Sequence, residues 1–122
     1  MISEKEFYEK IGGDYLDAQS RLMRDSLIRK FVLKFPDDKN FAALKEAVSD
    51  ERWDDAFAFA HTLKGVTLNL AFARLSAALI TLNDMLRPQN RELLDALSVK
   101  ACLCIVEKEY AAVLDAVELL KE

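Results

Sequence analysis

The 122-residue chain is poor in residues that make turns, because it contains only three glycines and two prolines. An all-β fold needs a turn between successive strands, and glycine and proline are prominent among the residues that form such turns. Hydrophobic residues make up 52% of the sequence and charged residues 31%, a balance typical of globular domains. The composition and length therefore predict a single all-α domain covering residues 1–122.

Basic clusters and long apolar runs are also missing. The formal net charge is −4, and no clustered basic surface is visible that would neutralise nucleic-acid phosphates. No apolar run approaches the roughly 18 residues that a membrane span requires. Residues 1–6 lack the basic-then-apolar pattern of a signal peptide. We expect a cytoplasmic protein that binds neither nucleic acid nor membrane and whose partner is another protein.

Metal ligands and partners for nucleophilic catalysis are scarce as well. His61 is the only histidine, whereas a zinc site needs three or four ligands. Cys102 and Cys104 are two residues apart in a helical pattern, so their side chains diverge by about 200° and cannot form a disulfide. The chain lacks the glycine-rich turns that usually build an oxyanion hole. These absences argue against a metal or haem site and against a hydrolase.

Helical periodicity is what the sequence has in abundance. Ser3 and Glu6 have the spacing of a capping box, and Gly12 predicts the end of a short first helix. An apolar stripe from Tyr15 to Phe35 predicts a second helix of about twenty residues. The final segment repeats apolar residues at intervals of three and four, which is typical of a long bundle helix. We predict an antiparallel four-helix bundle with one or two additional short helices at its N-terminal side.

The central helical segment turns its histidine away from its main apolar stripe. That stripe is centred roughly 170° from His61 on a helical wheel. It consists of Phe59, Leu63, Val66 and Leu70. The apolar residues from Phe72 onward follow a different phase, which predicts a break or bend between Asn69 and Ala71. We therefore expect His61 to point away from the core.

Lys64 and Gly65 share the face of His61, three and four residues further along the chain. Glycine inside a helix costs about 1 kcal/mol relative to alanine, so Gly65 suggests that something bulky must approach the imidazole. The Lys64 ammonium could offset the charge of a phosphoryl group attached to the ring. Without metal ligands or a catalytic triad, His61 is predicted to act as a nucleophile in its own right.

Three further residues extend this face, and their role is open. Leu68 and Phe72 lie within about 20° of His61 on an unbroken helix, and Asn69 follows Leu68. The two apolar side chains either pack under a neighbouring helix or form a docking patch around the reactive nitrogen. Asn69 either terminates the helix or makes a local hydrogen bond near the site.

The six residues from Ala60 to Gly65, followed by residues 69–72 and Leu75, resemble the signature of histidine-containing phosphotransfer (HPt) domains. The similarity extends to residues 27–31 and to Trp53. The resemblance implies that His61 accepts a phosphoryl group from a receiver-domain aspartate and passes it to another receiver domain. The implied partners are the receiver domains of hybrid sensor kinases and response regulators in two-component phosphorelays.

The resemblance also implies a division of labour between the partners. The receiver supplies Mg²⁺ and the acidic pocket, so this chain is expected to have no cofactor, no metal site and no independent active site. Gly65, Leu68, Asn69 and Phe72 would form the receiver docking face, and a monomer is expected. The alternative is a non-catalytic helical adaptor that binds receiver domains or other helical proteins through the same face. The sequence departs from the family at Ala71, where glycine is frequent.

Overall fold

The computed structural model describes residues 1–121, and within this range the chain forms seven α-helices, two 3₁₀ helices and no strand. The α-helices are α1 (Glu4–Ile11), α2 (Tyr15–Leu22), α3 (Asp25–Lys34), α4 (Asn40–Ser49), α5 (Trp53–Asn69), α6 (Ala73–Leu86) and α7 (Ala96–Lys121). The 3₁₀ helices are Phe35–Asp37 and Pro88–Leu93.

Helices α4, α5, α6 and α7 form a four-helix bundle. Each helix from α4 to α6 packs against the next one in the chain, and α7 also contacts α4, which closes the bundle. Short connections join sequential neighbours, so they run antiparallel. The helices α1, α2 and α3 lie at the N-terminal side and contact one another and, through α1 and α3, the long helix α7. The prediction of an all-α bundle is confirmed, although three additional helices lie at the N-terminal side instead of the one or two predicted.

Local side-chain chemistry sets the first helix boundaries as predicted. The Ser3 hydroxyl accepts a hydrogen bond from the Glu6 amide, and the Glu6 carboxylate accepts one from the Ser3 amide. Gly12 ends α1 in the left-handed conformation with φ 64°, which glycine adopts without steric cost. The Asp14 carboxylate then accepts a bond from the Asp17 amide and caps α2.

The prediction of one helix from Tyr15 to Phe35 is wrong. The chain breaks at Met23, whose φ of 72° is left-handed, and α3 begins two residues later. The two halves face different surroundings, since α2 buries only Ala18 whereas α3 buries Ile28 and Val32 against the bundle. Tertiary packing thus reorients a segment whose apolar spacing alone is compatible with one continuous helix.

An aromatic cluster surrounds the C-terminal end of α5. Phe72 is fully buried and its ring centroid lies 5.2 Å from that of Phe35, 5.8 Å from that of Phe7 and 5.9 Å from that of Tyr8. The Tyr8 hydroxyl donates a 2.7 Å hydrogen bond to the Leu70 carbonyl, one of the orphan carbonyls at the helix end. Helix α1 is therefore anchored directly to the end of α5.

The predicted break between Asn69 and Ala71 is confirmed. Helix α5 ends at Asn69, and α6 begins at Ala73. Between them Ala71 adopts φ 57°, a left-handed conformation that favours glycine. The Ala71 carbonyl accepts a 2.9 Å hydrogen bond from the Asp14 amide, which links this turn to the start of α2. Alanine thus stands at a position where the backbone conformation favours glycine.

Replacing Tyr8 with phenylalanine should lower the free energy of unfolding by about 1–2 kcal/mol, because the buried Leu70 carbonyl loses its donor. Urea denaturation at pH 7 measures the loss. Tyr15→Phe is the matched control, since the Tyr15 hydroxyl bonds the exposed carboxylate of Asp25, which water can solvate instead. An equal loss in both variants would contradict the anchoring role of Tyr8.

The pH dependence of the unfolding free energy gives a second test of the hydrogen bond from Tyr8 to the Leu70 carbonyl. Burial, reinforced by the charge of Asp17, raises the pKa of Tyr8 above the ordinary value of 10.0. A folded-state pKa above the unfolded value means that this contribution to stability is complete below pH 10 and is lost as the pH rises further. The difference in unfolding free energy between wild type and Tyr8→Phe should therefore narrow above pH 10.

Candidate functional site

His61 lies on the exposed face of α5, opposite the side that enters the core. The residues on the core side of the same turns, Ala60 and Leu63, are completely buried, whereas the His61 side chain is exposed. The imidazole is therefore accessible to a partner molecule.

The Phe57 ring is the nearest aromatic neighbour of the imidazole. The two ring centroids are 6.0 Å apart with an interplanar angle of 30°. Phe57 is partly buried and packs against the core, so it provides an anchored surface beside the exposed imidazole. Sequence reasoning did not single out Phe57. Its position one turn before His61 is the signal that could have identified it.

Lys64 lies one turn after His61 on a well-anchored part of the helix. Its backbone carbonyl accepts a 3.1 Å hydrogen bond from the Thr67 hydroxyl, and the Ser76 hydroxyl of α6 donates a 2.9 Å bond to Thr67. The Lys64 ammonium itself is in none of the ion pairs within residues 1–121. It is therefore available to a new anion near the imidazole.

Neither the backbone conformation nor the packing at position 65 requires a glycine. Its φ lies outside the left-handed region, and a Cβ atom built on it would meet no atom within 4 Å. Gly12 is the opposite case, because its φ is left-handed and an added Cβ would lie 3.0 Å from the Arg74 guanidinium. Neither backbone conformation nor internal packing accounts for Gly65, and the space above it is open to solvent.

The structure places the predicted docking residues in two different environments. Leu68 is 38% exposed on the side of α5 that carries His61, and Asn69 is exposed at the end of the helix. Phe72 is 0% exposed, so its assignment to an exposed docking face is wrong. The helical wheel placed Phe72 beside His61 by assuming an unbroken helix, and the turn at Ala71 invalidates that extrapolation.

An apolar residue of α6 joins this face, although sequence reasoning did not select it. Ile80 is 41% exposed, and it shares a cavity of about 200 Å³ with Leu68 and Ala77. The signal in the sequence was weak, because Ile80 lies beyond the break and its register against α5 depends on how α6 packs. Exposed apolar side chains beside a reactive group are frequent in transient protein interfaces.

The described residues contain no cluster of metal ligands and no helix that could span a membrane. Within residues 1–121, no group of three or more histidine, cysteine or acidic side chains could hold a metal ion. Cys102 is buried and Cys104 is exposed, and both are free thiols. No helix in this part of the chain is sufficiently long and apolar to cross a membrane.

Comparison with known protein families identifies the family of this chain. A family model described as Hpt domain matches residues 27–120, which is most of the chain, and the chain therefore belongs to the Hpt domain family. Hpt domains are phosphocarrier modules with a histidine phosphotransfer role in phosphorelays, and they interact with receiver domains. Neither the curated proteins nor the solved structures contain a significant match. Helices α1 and α2 precede the matched segment.

Alanine substitutions at Gly65 and Gly12 should change the free energy of unfolding in opposite directions. Gly65→Ala should raise the free energy of unfolding by about 0.5–1 kcal/mol, because alanine is the better helix former and the added methyl group meets open space. Gly12→Ala should lower it by about 1–2 kcal/mol, because alanine is strained in the left-handed conformation. Urea denaturation of both variants tests the pair, and destabilisation by Gly65→Ala would show that Gly65 has a structural role after all.

Proposed function

We propose that His61 is the phosphoacceptor of this Hpt domain and that it transfers a phosphoryl group between receiver domains. The observation that carries the proposal is the open space above Gly65, one turn from the only histidine. A receiver must bring an aspartyl phosphate into contact with the imidazole, and a side chain at this position would project into its path. The exposure of His61 supports the same assignment.

The proposed transfer is a displacement at phosphorus. A lone pair on an imidazole nitrogen of His61 attacks the phosphorus atom, a P–N bond forms, and the P–O bond to the aspartate breaks. The aspartate leaves as a carboxylate. In the second transfer, a carboxylate of another receiver attacks the phosphorus atom and the P–N bond electrons return to the ring nitrogen. The chain therefore carries the phosphoryl group without net change to itself.

Lys64 is proposed to stabilise the phosphoryl group during this exchange. Side chains three residues apart on a helix are neighbours, and no ion pair within residues 1–121 competes for the Lys64 ammonium. We propose that the chain contributes only the nucleophile, this cation and a docking face, and that Mg²⁺ and the acidic pocket belong to the receiver. The proposed docking residues are Gly65, Leu68 and Asn69, joined by Ile80.

We propose one domain covering residues 1–122, of which Glu122 lies outside the described residues, and a monomer without a cofactor of its own. The single continuous core that includes residues of α1 and α7 supports the one-domain proposal. The cytoplasmic location remains a prediction from the sequence.

Label transfer from a phosphorylated receiver domain tests the role of His61. Wild-type protein should acquire label in an acid-labile, base-stable form, as expected of a P–N bond, and His61→Gln should acquire none. The alternative, a non-catalytic adaptor, predicts no label on either protein and equal receiver binding by both. Undiminished labelling of His61→Gln would contradict the assignment.

Substitutions at Lys64 and Gly65 test whether Lys64 stabilises the phosphoryl group and whether Gly65 leaves space for the receiver. Lys64→Ala should slow transfer about tenfold without abolishing it, which corresponds to about 1.4 kcal/mol of barrier, because one positive charge near the phosphoryl group is lost. Gly65→Leu should slow transfer from a receiver but leave labelling by phosphoramidate, a small phosphoryl donor, largely intact. Equal slowing with both donors would show that the substitution disturbs His61 itself rather than the approach of the receiver.

A further inference from the structure

The exposed imidazole of His61 is held by no polar contact of the described chain. Within residues 1–121 it takes part in none of the side-chain hydrogen bonds and in none of the ion pairs. An exposed side chain without such contacts exchanges between rotamers within nanoseconds, whereas a nucleophile reacts fastest when its reacting atom is held in the right direction. Contact with neighbouring side chains is therefore the interaction that can restrict this ring.

Phe57 is the only large apolar side chain one turn away from His61 on α5. The other residues at this distance are Ala58, Lys64 and Gly65. Ala58 and Gly65 have little or no side chain, and the Lys64 side chain is long and flexible. Phe57 is half-buried and packs against the core. Core contacts therefore hold its ring in place beside the imidazole.

The geometry of α5 directs the imidazole toward Phe57. Side chains on an α-helix lean toward its N-terminus, so His61 leans toward the turn that carries Phe57 and away from the turn that carries Gly65. The two ring centroids are 6.0 Å apart and the ring planes differ by 30°, which is within the range of interacting aromatic pairs. A Cβ atom built on Gly65 would meet nothing within 4 Å. The imidazole thus has an aromatic neighbour on one side and open space on the other.

Phe57 and Lys64 lie on the same flank of α5. They are seven residues apart, so their directions differ by only about 20° around the helix axis. Seen from His61, Phe57 lies about 40° and Lys64 about 60° around the axis in the same sense. A ring held against Phe57 therefore stays on the side of the helix that carries the Lys64 ammonium.

We propose that Phe57 is a positioning residue for His61 and that its ring restricts the imidazole to orientations in which a nitrogen faces the incoming phosphoryl group. This inference rests on the proposed function of His61. Contact between two aromatic rings is sufficient to favour one orientation about twofold to tenfold. Phe57 acts through the ring of His61, and it leaves the space above Gly65 free for the receiver.

Nuclear magnetic resonance of the imidazole tests the contact without a transfer assay. Because His61 is the only histidine, the ring signals of protein made with isotopically labelled histidine are unambiguous. In the wild-type protein the imidazole protons should show a ring-current shift from Phe57. Phe57→Leu should move these signals toward those of histidine in an unstructured peptide. Signals that this substitution leaves unaltered would overturn the positioning role.

Single-turnover transfer tests the consequence for the reaction, with the receiver of the same genome that transfers fastest to the wild type. Phe57→Leu keeps an apolar side chain but loses the flat ring, so it should lower the maximal transfer rate about twofold to tenfold. The receiver concentration at half-maximal rate should stay the same, because docking is unaltered. Phe57→Tyr retains the ring and should restore the wild-type rate. A change confined to the half-maximal concentration, or failure of Phe57→Tyr to restore the rate, would contradict the positioning role.

A matched variant separates positioning from loss of packing. Phe59 lies on the same helix, is likewise half-buried and packs against the core, but it lies about 160° from His61 around the helix axis. Phe59→Leu makes the same change of side chain and should leave the maximal rate and the imidazole signals unaltered. Equal slowing by Phe57→Leu and Phe59→Leu would overturn the positioning role.

Phosphoramidate labelling distinguishes failure of the positioning role from failure of the proposed function. This small donor reaches His61 without docking and from any open direction, so the wild type and Phe57→Leu should be labelled at similar rates. Absence of label on the wild type would contradict the proposed function. Normal labelling together with unaltered receiver transfer in Phe57→Leu would contradict only the positioning role.

Discussion

The rotation of α5 about its own axis is the constraint on which the site depends. Leu63 is completely buried, and the Thr67 hydroxyl is held by Ser76 across the interface with α6. Turning the helix by one residue would expose Leu63, at a cost of about 1.5–3 kcal/mol, and would break the Thr67 bond, at a cost of about 1 kcal/mol more. The core therefore fixes the direction in which His61 points, although it does not contact the imidazole itself.

The N-terminal helices extend this constraint to the end of α5. Helix α1 contributes Phe7 and Tyr8 to the aromatic cluster around Phe72, and the Tyr8 hydroxyl satisfies the Leu70 carbonyl. A frayed end would let Asn69 and its neighbours move relative to the imidazole. Helices α1 and α2 precede the segment that matches the family, yet α1 anchors the end of the helix that carries His61.

Features governed by local chemistry could be predicted from the sequence, whereas features governed by packing could not. The capping box at Ser3 and the left-handed Gly12 depend on a few adjacent residues, and both were predicted correctly. The break at Met23 and the burial of Phe72 depend on which neighbours the segments meet. A helical wheel assumes continuity of the helix, so it failed for Phe72, on the far side of the turn.

Three residues near His61 on α5 each have a feature that the stability of the fold does not explain. Gly65 weakens the helix without relieving any steric conflict, and within residues 1–121 Lys64 has no ion-pair partner. Leu68 exposes apolar surface on the same side. Each feature singly is common on protein surfaces, but the proposed docking of a receiver accounts for all three together. It would bury Leu68, occupy the space above Gly65 and bring an anion to Lys64. Under the proposed function, the free domain is one half of an interface, and these three features become favourable only when the receiver binds.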